Sequence, residues 1–155
     1  MLSKLTAYGA LIIGALSVQV TFENPAHADV DIYHGVGLSN ANTGRANLSN
    51  GEFTYRGGGV SNFDAANIGN NNNKPCLFRF TAVVDGDPVV DETYDLSGPA
   101  GYQVEYDNDP EGHWNILLPA NTAENAARNA LSRWARDNRD GRVSNGTRDA
   151  DPACN

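Results

Sequence analysis

The stretch CLFRFTAVV, residues 76–84, constrains the fold more than any other part of this 155-residue chain. Apolar side chains recur there at every second position, namely Cys76, Phe78, Phe80, Ala82 and Val84. A period of two is typical of a β-strand that buries one face. The turn residues 85–87 (DGD) follow, and residues 88–94 are predicted to return as a hairpin partner. The chain is therefore expected to build an antiparallel sheet.

Further strands and one helix complete the predicted architecture. Strands are also expected at residues 31–38, 52–56, 102–106 and 113–118. A helix is predicted over residues 121–140, with Asn121 or Thr122 as its cap and Gly141 as its end. Its apolar residues recur at helical spacing and are expected in the core: Ala123, Ala127, Ala130, Leu131 and Trp134. The predicted fold class is α+β.

The N-terminus has the pattern of an export signal. Lys4 supplies a positive charge, residues 7–20 are apolar, and Ala26-His27-Ala28 has the small-x-small form that signal peptidase cleaves. Residues 1–28 are therefore predicted to be a signal peptide, and residues 29–155 a single secreted or periplasmic domain. The apolar run is shorter than the roughly 20 residues that a membrane-spanning helix needs, and no later segment is apolar enough to span.

The two cysteines, Cys76 and Cys154, fit this export prediction. An oxidising compartment permits a disulfide, and a single distant pair does not resemble a zinc site. A disulfide between them is expected to tie the C-terminus to the middle of the chain.

Charge limits the class of partner. The net charge of −8 at pH 7 argues against a nucleic-acid-binding surface. Residues 29–111 hold thirteen acidic side chains and four basic ones. This excess of acidic residues suits a non-catalytic secreted module that binds its partner through an acidic face, which is the alternative to an enzyme.

The glycine run in YRGGGVSNFD, residues 55–64, has two interpretations. Glycines permit positive φ, so the run is typical of a turn or bulge. They also let a ligand approach main-chain amides, here beside the hydroxyl of Ser61. No helix is predicted directly after the run, which argues against a Rossmann or P-loop site.

Two histidines and one acidic cluster are further candidates. His34 precedes a glycine on the first strand, whereas His113 alternates with Trp114 on a later strand and should face away from the core. The acids of residues 105–111 do not have EF-hand spacing and are expected to form a solvated turn. The sequence shows no Ser-His-Asp order, HExxH or CxxC pattern, so neither a hydrolase nor a metal site is predicted.

Four segments in order resemble a known toxin family. IYHG, GGVSNFD, GHWNILLPA and ENAARNALSRW are similar to the small type VI secretion effector toxins with an ADP-ribosyltransferase-like fold. Val60 stands where that family has a threonine. Tyr33-His34-Gly35 is instead similar to the Tyr-His-Gly of diphtheria-toxin-like ADP-ribosyltransferases.

The resemblance implies a fold, a substrate and a site. The fold would be a mostly antiparallel split sheet with a C-terminal helix, and NAD would lie in the cleft between its halves. The chemistry would be that of a glycosyltransferase or glycohydrolase, and the producing cell would need an immunity or inhibitor protein. The implied NAD-binding residues are Tyr33, His34, Arg56, Gly58 and Gly59. The implied catalytic residues are Ser61, His113 and Glu105.

Overall fold

The computed structural model describes residues 27–40, 45–71, 74–144 and 154. Its strands are β1 His27–Val36, β2 Leu38–Asn40, β3 Arg45–Ala46, β4 Gly59–Asp64, β5 Cys76–Asp85, β6 Glu92–Leu96, β7 Gln103–Tyr106, β8 His113–Leu117 and β9 Arg142–Ser144. The α-helix α1 is Glu124–Asp137, and 3-10 turns lie at Ala65–Asn71 and Arg139–Gly141.

Six strands close into an antiparallel barrel. Their order is β1-β4-β8-β7-β6-β5, and β5 pairs back onto β1. The closing pair runs over ten residues of each strand, from His27 opposite Asp85 to Val36 opposite Cys76. β9 extends the sheet beyond β5, and β2 and β3 form a separate ribbon. The α+β class with antiparallel strands is thus confirmed, but the strand pairing closes one barrel instead of separating two small sheets around a cleft.

The barrel strands direct one face of alternating side chains inwards. Phe78, Phe80 and Ile116 are fully buried, as the period of two predicts. The helix α1 packs on this cluster, because the ring of Trp134 stacks on Phe80 with centroids 5.4 Å apart. Burying each large apolar side chain stabilises the fold by roughly 1.5–3 kcal/mol. The alternate positions, whose side chains point outwards, can carry a functional site.

The predicted strand at residues 52–56 is wrong, and the strand lies after the glycines instead. Gly57 and Gly58 have φ values of 61° and 116°. Reciprocal backbone hydrogen bonds of 2.9 and 3.2 Å join Arg56 and Gly59 across this two-residue turn. Glycine adopts positive φ values without a clash of a Cβ, so the chain reverses here and β4 begins at Gly59.

The hairpin after β5 is present with shifted bounds. Asp91, at φ 67°, still belongs to the turn, so the returning strand β6 covers Glu92–Leu96 and not residues 88–94. It pairs antiparallel with β5.

The helix is shorter than its apolar pattern predicts. Asn121 has φ 60° and lies outside it, and the cap residue is Ala123, with no side-chain cap bond. Asn138 leaves helical geometry at φ −107° and ψ 58°, so α1 ends there and Gly141 belongs to the following 3-10 turn. The predicted cap and end are therefore wrong, although the predicted core contacts of Ala127 and Leu131 are present.

The predicted disulfide is present. Cys76 and Cys154 are bonded, with Cα atoms 5.8 Å apart, which fastens residue 154 to the first residue of β5.

Most of the predicted signal peptide lies outside the described residues, since β1 begins at His27. Cleavage after Ala28 would leave Asp29 and the following residues of this strand. Within the described part of the chain, no helix has both the length and the hydropathy to cross a membrane.

Candidate active site on the outer face of the barrel

The site is built on the antiparallel pair of β4 and β8. Ser61 lies opposite Asn115 in this pairing, and His113 lies two positions earlier on β8. Val60 and Trp114, the neighbours of these residues, are fully buried in the barrel. Because successive side chains alternate between faces, Ser61, His113 and Asn115 share the outer face. The predicted outward orientation of His113 is confirmed.

A hydrogen-bonded chain runs from a serine through a histidine to a carboxylate. Ser61 Oγ lies 2.7 Å from His113 Nε2. On the other edge of the ring, His113 Nδ1 lies 2.7 Å from Asp107 Oδ1. Asp107 Oδ2 in turn accepts a hydrogen bond of 2.7 Å from Asn115 Nδ2. Ser61 and His113, two of the three catalytic residues that the resemblance implies, are thus in direct contact.

The turn between β7 and β8 holds Asp107 in place. Asn108, at φ 52°, accepts hydrogen bonds through Oδ1 from the Tyr106 hydroxyl and the Gly112 amide, at 2.7 and 2.8 Å. The backbone N–H of Asn108 donates a hydrogen bond of 3.2 Å to the backbone carbonyl oxygen of His113. These bonds fix the carboxylate of Asp107 relative to the imidazole. The ring of Phe63 packs on His113 with centroids 5.1 Å apart and restrains it from the side.

This arrangement determines which nitrogen of His113 carries a proton. An ionised carboxylate only accepts hydrogen bonds, so Nδ1 must donate to Asp107. In the neutral ring, Nε2 then has a free lone pair that accepts the hydroxyl proton of Ser61. The chain of bonds therefore places a base on the hydroxyl of Ser61, which is the arrangement of an activated nucleophile.

The sequence does not predict this contact of a serine, a histidine and an aspartate, because their order along the chain is not Ser-His-Asp. The three residues occur in the order Ser61, Asp107, His113, and Asp107 was assigned to a solvated acidic turn. The available signal was the period of two, which places Glu105 and Asp107 on one face of the segment around β7, and His113 and Asn115 on one face of β8. Only the register of β7 and β8 brings them together.

His34 connects β1 to the site through its backbone contacts. Its Nδ1 lies 2.7 Å from the carbonyl oxygen of Ser61, and its Nε2 lies 2.9 Å from that of Glu52. The side chain is buried, and this burial lowers the pKa of the imidazole, an effect that the two carbonyls partly offset. His34 therefore braces the strand that carries Ser61.

A cavity of about 210 Å³ lies beside Ser61. Its lining brings together four residues that the sequence singled out: His34, Arg56, Gly59 and Ser61. Lys74 and Glu52 complete its charged lining.

Two cations and one carboxylate set the charge of this cavity. Burial alone would raise the pKa of the Glu52 carboxyl, but hydrogen bonds from Lys74 Nζ (2.9 Å) and the Gly37 amide (3.0 Å) bring it below its ordinary value. Glu52 therefore stays ionised and balances Lys74. Arg56 is exposed and forms no ion pair with the described carboxylates, so the cavity favours an anion.

Glu105 and Tyr33, which the resemblance also implies, lie on strands near Ser61 and His113, in rows of side chains that run across the sheet from strand to strand. Glu105 is opposite Asn115, which is opposite Ser61, so Glu105 and Ser61 are two strand spacings or roughly 10 Å apart along one row. Tyr33 is opposite Phe63, which is opposite His113, on the neighbouring row. Neither Tyr33 nor Glu105 lines the cavity among its described residues.

The described residues include no group of three or more His, Cys, Asp or Glu side chains suited to a metal ion.

No protein-family model matches the chain, and no curated protein or solved structure is significantly similar to it. Fold and site therefore define it as an α+β barrel protein with a Ser-His-Asp chain on its outer face.

Proposed function

We propose that this protein is an exported, toxin-like domain with an ADP-ribosyltransferase-like site, which binds NAD and transfers ADP-ribose or hydrolyses the cofactor. The observation that carries the proposal is the cavity beside Ser61. It collects His34, Arg56, Gly59 and Ser61 from separate segments, and His113 bonds directly to Ser61. These are residues to which the resemblance assigns NAD binding and catalysis.

The cavity suits one end of NAD, with the remainder along the glycine turn. Its volume of about 210 Å³ is below the roughly 300 Å³ at which ordinary ligand pockets begin. A Cβ added to Gly57 or Gly58 would meet no described atom within 4 Å, so the turn leaves open space beside the cavity. Arg56, at the base of this turn, has the planar donor set that binds a pyrophosphate in a bidentate manner.

The chemistry requires a group for the developing cation and a base for the attacking group. Cleavage of the nicotinamide–ribose bond leaves positive charge on the ribose, which the carboxylate of Glu105 would stabilise. Nicotinamide leaves with the bonding electrons, and the oxygen of water or of an acceptor bonds to the ribose carbon. The proton of that oxygen passes through Ser61 to His113 Nε2.

The test is expression of residues 29–155 without the signal in a bacterial cytoplasm, with growth and the NAD pool followed. We expect growth arrest and loss of NAD, both abolished by Ser61→Ala and by His113→Ala. Ser97→Ala is the matched control, because Ser97 is an exposed serine outside the cavity. An oxidising host strain preserves the Cys76–Cys154 disulfide.

Folded protein, undiminished growth and no NAD binding by calorimetric titration would together refute the proposal. A positive result has a further consequence, since the producing cell then needs an inhibitory protein that binds this face.

An acidic groove favours the second candidate function, a secreted binding module. The groove of about 430 Å³ is lined by Asp85, Asp87, Glu92 and Asp95. Val89 at its edge is 51% exposed, which supplies an apolar contact next to the charges. A basic protein segment fits this surface. Asp85→Lys with Asp87→Lys would abolish capture of a basic partner while leaving NAD consumption unchanged, which separates the two functions.

A further inference from the structure

The hydrogen-bonded chain on the outer face supports a reactivity that does not need NAD. We propose that Ser61, His113 and Asp107 form a nucleophilic triad whose serine attacks small, negatively charged esters. The two contacts that a triad requires are present at 2.7 Å each, Ser61 Oγ to His113 Nε2 and His113 Nδ1 to Asp107. A third hydrogen bond of 2.7 Å, from Asn115 Nδ2, holds the carboxylate of Asp107.

A nucleophile has to be accessible to substrate, whereas its base has to be held in place, and the solvent exposure of Ser61 and His113 meets both requirements. Ser61 is solvent-exposed, whereas the side chain of His113 is 12% exposed. A substrate can therefore reach the hydroxyl oxygen while the imidazole stays fixed between Phe63, Asp107 and Ser61. A base held by its surroundings loses little conformational freedom when it takes up the proton.

Asn115 fixes the orientation of the Asp107 carboxylate relative to His113. Its amide can offer only N–H groups to Asp107 through Nδ2, so one carboxylate oxygen always faces Asn115 and the other faces His113. Both oxygens of Asp107 are therefore occupied by donors. This fixes the His113 tautomer with its proton on Nδ1 and keeps Nε2 available to Ser61.

The adjoining cavity indicates the class of substrate. At about 210 Å³ it admits a short acyl group, and the guanidinium of Arg56, which forms no ion pair with a described carboxylate, favours one that carries a carboxylate or phosphate. Ser61 Oγ attacks the ester carbonyl carbon, and its proton moves to His113 Nε2. The alkoxide leaves with that proton as an alcohol. Water then releases the acid from Ser61 by the same transfer through His113.

The first experiment uses an alkyl fluorophosphonate, which forms an O–P bond with an activated serine and releases fluoride. We expect the oxidised, folded protein to be labelled at Ser61, as seen by mass spectrometry of the peptide that contains it. Ser61→Ala and His113→Ala should abolish labelling, and Ser97→Ala should not change it. NAD is absent throughout, so the result does not depend on the proposed function.

The second experiment tests the role of Asp107. In Asp107→Asn the new amide must direct its oxygen at the Asn115 donor and its N–H₂ at His113 Nδ1. The proton of His113 is then forced onto Nε2, and the labelling rate should fall by about 10³- to 10⁴-fold. When Asn115→Asp is added, residue 115 accepts a hydrogen bond from the amide of residue 107, whose oxygen then faces His113 Nδ1. The labelling rate of this double variant should be at least tenfold higher than that of Asp107→Asn alone.

The tautomer itself is a readout that a merely structural role would not change. The ¹⁵N shifts of the His113 ring should report a proton on Nδ1 in the unmodified protein and in the double variant, and on Nε2 in Asp107→Asn. Unlabelled folded protein, labelling that survives His113→Ala, or an unchanged tautomer in Asp107→Asn would each overturn the triad.

Discussion

Reduction of the Cys76–Cys154 disulfide should destabilise the domain by about 4.5 kcal/mol. The bond closes a loop with a sequence separation of 78. On the chain-entropy relation, a loop of this size removes roughly 15 cal/mol/K from the unfolded state, or about 4.5 kcal/mol at 25 °C. Domains of this kind have unfolding free energies of about 5–15 kcal/mol, so the loss is a large part of the total.

The assay is urea unfolding followed by tryptophan fluorescence, with and without a phosphine reductant. With a slope of about 1–2 kcal/mol/M, the midpoint should fall by roughly 2.3–4.5 M. Cys154→Ser in oxidising buffer is the matched variant, because Cys154 lies at the edge of the core whereas Cys76 is fully buried. Reduced protein that loses less than about 1 kcal/mol would refute the loop-entropy reasoning.

Three further predictions concern the core, the glycine run and pH. Trp114→Ala should destabilise the domain by roughly 3–5 kcal/mol in urea unfolding, because Trp114 is fully buried, while Ser61→Ala should stay within about 0.5 kcal/mol. Gly59→Ala should lower the fluorophosphonate labelling rate, since its Cβ would lie 2.6 Å from the Cβ of Asn115; unchanged labelling would contradict this contact. Burial lowers the pKa of His34, so the native state holds it neutral and the unfolded state, with a pKa near 6.5, takes up the proton first. Stability should accordingly fall as the pH drops below about 6.5, by about 1.4 kcal/mol per pKa unit of lowering, and His34→Gln should flatten that slope in urea unfolding at pH 7.5 and 5.5.

The strands could be predicted where side chains alternate without interruption. β5 and β8 bury every second residue, and the pattern is local, so the sequence carries it fully. β4 was missed because the strand was predicted before the glycines, at residues 52–56, whereas Gly57 and Gly58 form a two-residue turn and the strand follows them. The barrel itself depends on β1 pairing with β5 over ten residues, a contact between distant segments that no local pattern contains.

The site was predictable to the extent that its residues lie within single motifs. Ser61 and His113 were found through the resemblance and through the outward phase of β8. Asp107 was missed because its role depends on the hairpin register that brings it next to His113. Glu105, Asp109 and Glu111 lie close to it in the sequence, so composition alone favoured a solvated acidic turn.

The glycine run contributes to the site in two ways, through the turn beside the cavity and through the packing of Gly59 against Asn115. Gly57 and Gly58 make the turn, but Gly59 is required for a different reason: a side chain there would displace Asn115. Asn115 orients Asp107, and Asp107 fixes the tautomer of His113. The absence of one Cβ on β4 is therefore coupled, through two hydrogen bonds, to the protonation of the base that faces Ser61. A glycine that resembles a spacer in the sequence is thus a packing requirement of the hydrogen-bonded chain of Ser61, His113 and Asp107.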